Sequence, residues 1–339
     1  MPSIYDIAQA CGTSPATVSR VLNGRPGVKP ETAQRIRLAM DEMKFQPRWS
    51  AADRNNILIL VPSYPGVFKS GYVSVILSGI ADMAFRLKYD LTIHPFDNQQ
   101  CSCRELRQLV AQKSAVGCLL ISQNEAYLPP SDLHQLGQPH VVVGRKLQDD
   151  GVRQILTNAY QGGMDATEYL LALGHRRIAL VSFDITDRSH HEIHSGYMEA
   201  MRKAGLTENA KHVQFSNDLT DSGRSAALQL LSPHERPTGV VISNDNLAAG
   251  FISESKNMGL SIPRDLSVIA FESATTLSLS EPALTVMQSP LYACGAEGLK
   301  LLLRQIDEKK DESDSAEAYT TTPLPIPLIV RHSTAAVHD

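Results

Sequence analysis

The sequence has 339 residues, 42% of them hydrophobic and 20% charged, which is enough chain for two or three domains with cores of their own. No apolar run reaches membrane-spanning length, the N-terminus reads as a polar helix and not as a secretion signal, and the five cysteines include no CxxC pair; the expectation is a reduced, cytoplasmic protein with no membrane partner. The net charge of −4 hides an asymmetry: residues 1–54 hold eight Lys/Arg against five Asp/Glu, about +3, and the rest carries about −7, as suits a chain that meets phosphate at one end only.

The basic end opens with Ile4, Ile7, Ala8 and Cys11 at helical spacing. Gly12 stops that helix, since it takes the left-handed conformation at no Cβ cost. Ser14 as N-cap and Pro15 at the first position start the next helix. Val18, Val21 and Leu22 face inward there, leaving Pro15, Ala16, Ser19 and Arg20 outside. Two short helices about a Gly-containing turn predict a helix-turn-helix, with the second helix in the major groove. A helical hairpin within some larger core is the plainer alternative. Pro30 to Lys44 reads as a third helix, with Ala33, Ile36, Ala39, Met40 and Met43 closing the core and Phe45-Gln46-Pro47 ending it. Arg20 is long enough to grip a guanine edge with two hydrogen bonds, while Pro15 and Ala16 suit a thymine methyl or close approach.

From Ile57 the pattern becomes strand–helix alternation. Ile57–Val61 is a continuous apolar run, as a strand buried on both faces requires. A helix over Val73–Lys88, a strand over Leu91–His94 and a helix over Arg104–Gln112 follow, then strands at Val116–Ile121 and His140–Gly144. A second series has helices at Gly163–Leu173, Gly196–Ala204 and Ala226–Leu231, and strands at Ile178–Val181, Gly239–Ile242 and Ser267–Phe271. Repeated βα units predict two doubly wound parallel sheets. Ligands of such sheets bind beyond the carboxyl ends of the strands, which selects Ser63, Gln123, Arg145, Asn244 and Glu272. Asp307–Thr322, rich in Asp, Glu, Lys and Ser, reads as a surface loop.

The run Ala16-Thr17-Val18-Ser19-Arg20-Val21-Leu22-Asn23-Gly24, followed by Val28-Lys29-Pro30-Glu31-Thr32, resembles the DNA-binding head of the lactose-repressor (LacI/GalR) family. The resemblance continues through Ala172-Leu173-Gly174-His175-Arg176-Arg177-Ile178-Ala179, Ser243-Asn244-Asp245, Ile262–Ile269, Leu284–Gln288 and Ile329–Thr334. It implies a small all-α helix-turn-helix head on an α/β, two-lobed body like a periplasmic binding protein. The boundaries would be 1–46 for the head, 47–56 for a shortened hinge and 57–334 for the body. The first lobe would take about 57–157 and 287–317, and the second about 158–286 and 321–334. It also implies Pro15, Ala16 and Arg20 as base readers, with Thr17, Ser19 and Asn23 on phosphates and the capping Ser14 among the DNA-binding residues. To the cleft it adds Tyr72, Asn158 and Gln288, a set of donors and acceptors that suits a polyol.

The departures from the family pattern are specific. Relatives carry a hinge helix whose Leu wedges into the minor groove at the operator centre. Here Arg54 falls at that position, and Trp49 stands nearby as a substitute wedge or as packing between head and body. An Arg commonly found three residues before the Gly-aromatic pair of the second lobe is Ile193 here, and Glu272 replaces the usual Asp. His190 and His194 stand at i, i+4, a spacing that can hold a metal, although no third ligand is assignable. His191 and His194 are the candidates for effector contact. The resulting expectation is a dimeric repressor on a pseudo-palindromic double-stranded operator, gated by a small molecule of sugar type, with no cofactor and no catalysis. The alternative is a solute sensor with a weakened DNA head; an enzyme working through His190, His191 and His194 lacks a visible nucleophile–base pair.

Overall fold

The computed structural model describes residues 3–22, 27–43, 55–63, 67–69, 71–96, 103–121, 133–144, 151–183, 188–207, 210–215, 219–232, 236–274, 277–310 and 323–337. The head holds α1 (Ile4–Ala10), α2 (Pro15–Leu22) and α3 (Pro30–Glu42). Ser3 and Asp6 close a reciprocal capping box on α1, at 3.3 Å from the Asp6 N–H to Ser3 Oγ and 2.7 Å from the Ser3 N–H to Asp6 Oδ2. Gly12 sits at φ +57°, the left-handed turn that separates α1 from α2. Ile7, Ala8, Cys11, Val18 and Ile36 form the buried centre, and Ile4, Val21, Ala39, Met40 and Met43 pack around it.

The body contains two sheets. In the first lobe β1 (Asn56–Pro62), β2 (Asp90–Phe96), β3 (Gly117–Ile121), β4 (His140–Val143) and β5 (Gln154–Ile155) run parallel in the order β2-β1-β3-β4-β5. Alternate residues of the apolar runs serve opposite faces. Ile57, Ile59, Val61, Leu119, Ile121, Val141 and Val143 pack under α4 (Gly71–Leu87) and a C-terminal helix over Leu291–Lys310. Leu58, Leu60, Cys118, Leu120 and Val142 face α5 (Cys103–Gln112).

The second lobe has β6 (Ile178–Phe183), β7 (Lys211–Phe215), β8 (Gly239–Ile242), β9 (Ser267–Glu272), β10 (Thr285–Gln288) and β11 (Leu328–Ile329), in the order β11-β10-β9-β8-β6-β7. All neighbours are parallel except β10 and β11. One face carries α6 (Ala159–Ala172) and α7 (Arg188–Lys203); the other carries α8 (Leu219–Leu231) and α9 (Asp245–Asn257). The helix Leu291–Lys310, α10, returns to the first lobe.

Three details correct the expected boundaries. β10 lies wholly in the second sheet, so the return to the first lobe falls after Gln288 and not between residues 286 and 287. β1 already includes Asn56, which the hinge range 47–56 had claimed. α10 runs to Lys310, so the segment expected to be a loop from Asp307 begins as helix. Residues 47–54 of the hinge and residues 311–322 lie outside the described residues. Two of the crossings run side by side, with the Asn158 N–H donating to the Leu324 carbonyl at 2.9 Å and the Leu324 N–H to that of Leu156 at 2.8 Å.

Candidate functional site: a DNA-reading helix and an interlobe cleft

Among the described side chains of α2 Val18 is buried, Ala16 and Arg20 are exposed and Pro15, Thr17 and Ser19 half-buried, with Ser14 exposed just before the helix. Ser14 Oγ accepts the Thr17 N–H at 3.1 Å and lies 2.8 Å from Thr17 Oγ1, which fixes the first turn. The small side chains at the N-terminal end of α2 are followed one turn on by the exposed Arg20, an arrangement with the reach and close approach that reading a base edge requires. Asn23 and Trp49 fall outside the described residues.

The cleft residues divide by what their polar atoms already do. Ser63 is exposed just past β1, its N–H on the Phe96 carbonyl at 3.0 Å. Tyr72, in the first turn of α4, donates its hydroxyl to the Gly144 carbonyl at 3.1 Å and so ties α4 to the end of β4. Asn158 caps α6 by accepting the Gln161 N–H at 3.2 Å. Asn244 caps α9 by accepting from the N–H groups of Asn246 and Leu247 at 2.8 and 3.3 Å. Gln288 is half-buried at the end of β10. Gln123 and Arg145 lie outside the described residues.

Glu272, expected to face the cleft, is 1% exposed and fully engaged inside its own lobe. One carboxylate oxygen accepts the Leu277 N–H at 2.7 Å; the other faces the Arg331 guanidinium at 3.4 Å, which also donates to the Leu284 carbonyl at 2.8 Å. The extra methylene of Glu over Asp lets the carboxylate pin the segment that follows β9. Ile193, at the position where relatives carry an Arg, is buried in the core between α7 and the sheet.

The histidines separate in an unexpected way. His190 Nδ1 lies 2.9 Å from Ser243 Oγ, at the carboxyl end of β8, and its ring stands edge-on to Phe183 at 5.4 Å. His191 is exposed. His194 turns under α7 and stacks on His212 of β7 with ring centroids 4.4 Å apart. His212 Nε2 in turn lies 2.6 Å from Ser182 Oγ. The i, i+4 spacing therefore serves two separate contacts, and no group of three or more metal-ligating side chains occurs among the described residues. His212 is pushed down to about 4 by burial and by the neighbouring His194; burial and His191 hold His194 below the usual value. His190 beside Ser243 escaped the sequence reading of cleft contacts, although its place in the first turn after β6 was a usable signal.

A cavity of about 730 Å³ opens where the lobes meet. Gly71 and Ser74 of α4 face Asp245 and Ala249 of α9 across it, with Ala274 and Leu277 from the segment after β9. Its walls come from both lobes, so its shape follows their relative position. Its lining residues Gly71 and Asp245 neighbour Tyr72 and Asn244 in sequence, but none of the predicted effector residues is itself among the lining residues; its volume lies in the range of small-molecule sites.

A helix-turn-helix head on a body of two doubly wound lobes, with strand ends directed to a shared cleft, defines a DNA-binding transcription regulator. Residues 3–48 match the family of bacterial regulatory proteins, lacI family, and residues 167–334 match the periplasmic binding protein-like domain. The chain belongs to the lacI family. It is 28% identical over 340 residues to the HTH-type transcriptional repressor PurR of Erwinia tasmaniensis, covering 99% of this chain and 97% of that one. Its fold is that of the lac repressor dimer bound to operator and the anti-inducer ONPF, with TM-score 0.73, 21% identity and 99% of each chain covered. A LacI-family regulator from Enterococcus faecium with bound ribose matches with TM-score 0.70 and 24% identity, over 84% of this chain and 100% of that one. No described helix is long and apolar enough to cross a membrane.

Proposed function

We propose that the protein is a cytoplasmic homodimeric repressor whose heads read the two halves of a pseudo-palindromic operator and whose cleft binds a sugar or sugar derivative. The observation that carries this reading is the cavity with walls from both lobes, in a chain whose α2 presents Arg20 outward. A ligand that fits the cavity in only one arrangement of the lobes shifts the equilibrium between arrangements by its differential affinity, and the spacing of the two heads with it. The polar set Ser63, Tyr72, Asn158, Asn244 and Gln288 supplies hydroxyl and amide groups without a cofactor. The ribose bound to the Enterococcus regulator supports this type of occupant.

Catalysis forms no part of this reading. The Ser243–His190 pair looks like a nucleophile and its base, but the Ser243 hydroxyl is buried and accepts the Phe183 N–H at 3.0 Å. Selection of bound genomic fragments by the full-length protein, with footprinting of the winners, tests the proposal. One short palindrome, whose binding changes when pentoses and hexoses are added, is the expected result. Sugar binding without recovery of any duplex, with or without cell extract, would instead mark a solute sensor with an inactive head.

A further inference from the structure

The stacked imidazoles of His194 and His212 lie at the join between α7 and the second sheet. α7 is itself locked to α6: a Cβ on Gly196 would come 2.0 Å from the Tyr160 carbonyl oxygen, and one on Gly163 would come 2.3 Å from that of Ile193. α6 begins at Asn158, on the paired crossing between the lobes. A continuous path of close packing therefore runs from the histidine pair through α7 and α6 to the crossing.

We propose that His194 and His212, stacked between α7 and the sheet, make the second lobe acid-sensitive: the packed pair resists protonation, and charging both rings drives them apart, loosens α7 and disturbs the crossing between the lobes. This goes beyond the ligand-gated reading and does not depend on what the cleft binds. Two imidazolium rings at 4.4 Å repel, and among the described residues the carboxylates on the neighbouring elements have partners of their own or stand exposed. On α7, Glu192 and Glu199 are paired with Arg188 and Arg202 at 3.6 and 2.7 Å. On α6, Asp165 accepts from the Gln161 amide at 2.6 Å and Glu168 is exposed. On the sheet, Lys211 precedes His212 and adds positive charge, and β6 offers the Ser182 hydroxyl. At the start of α9, Asp245 accepts the Ser273 N–H at 3.4 Å. Among the described residues, His191 acts on His194 and His194 on His212 to disfavour the charged rings.

The direction of the effect follows from proton linkage. Both rings titrate below the value of about 6.5 that they regain on unfolding, so at pH 7 they are neutral in both states and contribute nothing. As pH falls through 6.5 the loosened state takes up protons that the packed state refuses, and packing is progressively lost until His212 is protonated near 4.

The experiment follows the imidazole signals of the full-length protein by NMR from pH 7.5 down to 3.5, together with amide exchange along α7 and α3. The expected result is a His212 midpoint near 4, a His194 midpoint below the ordinary value, and at least about a tenfold fall in α7 protection between pH 7 and pH 5, corrected for intrinsic exchange. Protection in α3 of the head should stay level. His194→Phe keeps ring on ring but removes one charge, so its fall should be smaller and its His212 midpoint higher. Ordinary midpoints for both rings overturn the proposal whether or not the variant folds. So does an equal fall in wild type and variant, because a purely structural role for the stack would change protection by the same factor at every pH.

Discussion

The reading face of α2 and the rim of the cleft are built on opposite plans. In the head the candidate contact groups stand on the outer face of a helix that buries Val18 and starts with the Ser14–Thr17 cap. At the cleft the polar residues beyond the strands are first of all structural: Asn158 and Asn244 cap helices, Tyr72 ties α4 to β4, and Glu272 holds the segment after β9. A substitution on α2 should therefore alter binding and leave the fold alone. Around the cleft the two effects are mixed, and stability has to be measured before any change in ligand affinity is interpreted.

The largest expected effect breaks the body and spares the head. Glu272→Ala strands the Arg331 guanidinium, which is mostly buried, and leaves the Leu277 N–H unpaired. Removing one partner of a buried ion pair costs about 3–5 kcal/mol, because the other charge stays desolvated. Denaturant unfolding of the full-length protein should show that loss in the body transition, with amide protection in α1–α3 unchanged. A Glu272→Ala protein of wild-type stability and altered sugar affinity would place the carboxylate on the cleft side after all.

The next effect is smaller and of the opposite kind. Arg20→Ala should leave unfolding unchanged, since the side chain is exposed, and should cost about 1–3 kcal/mol on the selected operator. Base choice should relax at one position in each half-site. An equal loss on all duplexes would instead put Arg20 on a phosphate. Affinity would then depend less steeply on salt in the variant, by about one unit of logarithmic slope per half-site.

The same contrast explains what could be read from the amino-acid order. α2 and its turn were legible because cap, proline and apolar stripe are all local signals within Gly12–Leu22. The central strands were legible because burial on both faces leaves no polar interruption, as in Ile57–Val61. The edge strand Lys211–Phe215 and the two-residue strands Gln154–Ile155 and Leu328–Ile329 lack that signature. α10 hides its stripe behind Gly295 and Gly298, which exist so that α4 and Val143 can approach. At the site, the position of Glu272 at the end of a strand followed from topology. Its engagement did not, because Arg331 lies 59 residues away in sequence. The stack of His194 on His212 is non-local in the same sense, since it needs β7, an element with no clear sequence signal.

The smallest effect tests the one place where the two plans meet, Ser14. Its hydroxyl caps α2 and also stands exposed at the end of the helix that approaches phosphate. Ser14→Ala should cost about 1 kcal/mol of head stability, because a first-turn N–H loses its acceptor. The head core has few buried residues to absorb the loss, so α2 amide exchange in the full-length protein should rise before any body signal changes. Ser14→Asp separates the two roles. An aspartate caps as well as serine and its charge suits the N-terminus, so protection in α2 should be kept. The same charge repels a phosphate, so affinity for the operator should fall at low salt and recover part of the difference as salt screens it. Equal affinity for Ser14→Asp and wild type at low salt would confine Ser14 to capping and move the phosphate contact to Thr17 or Ser19.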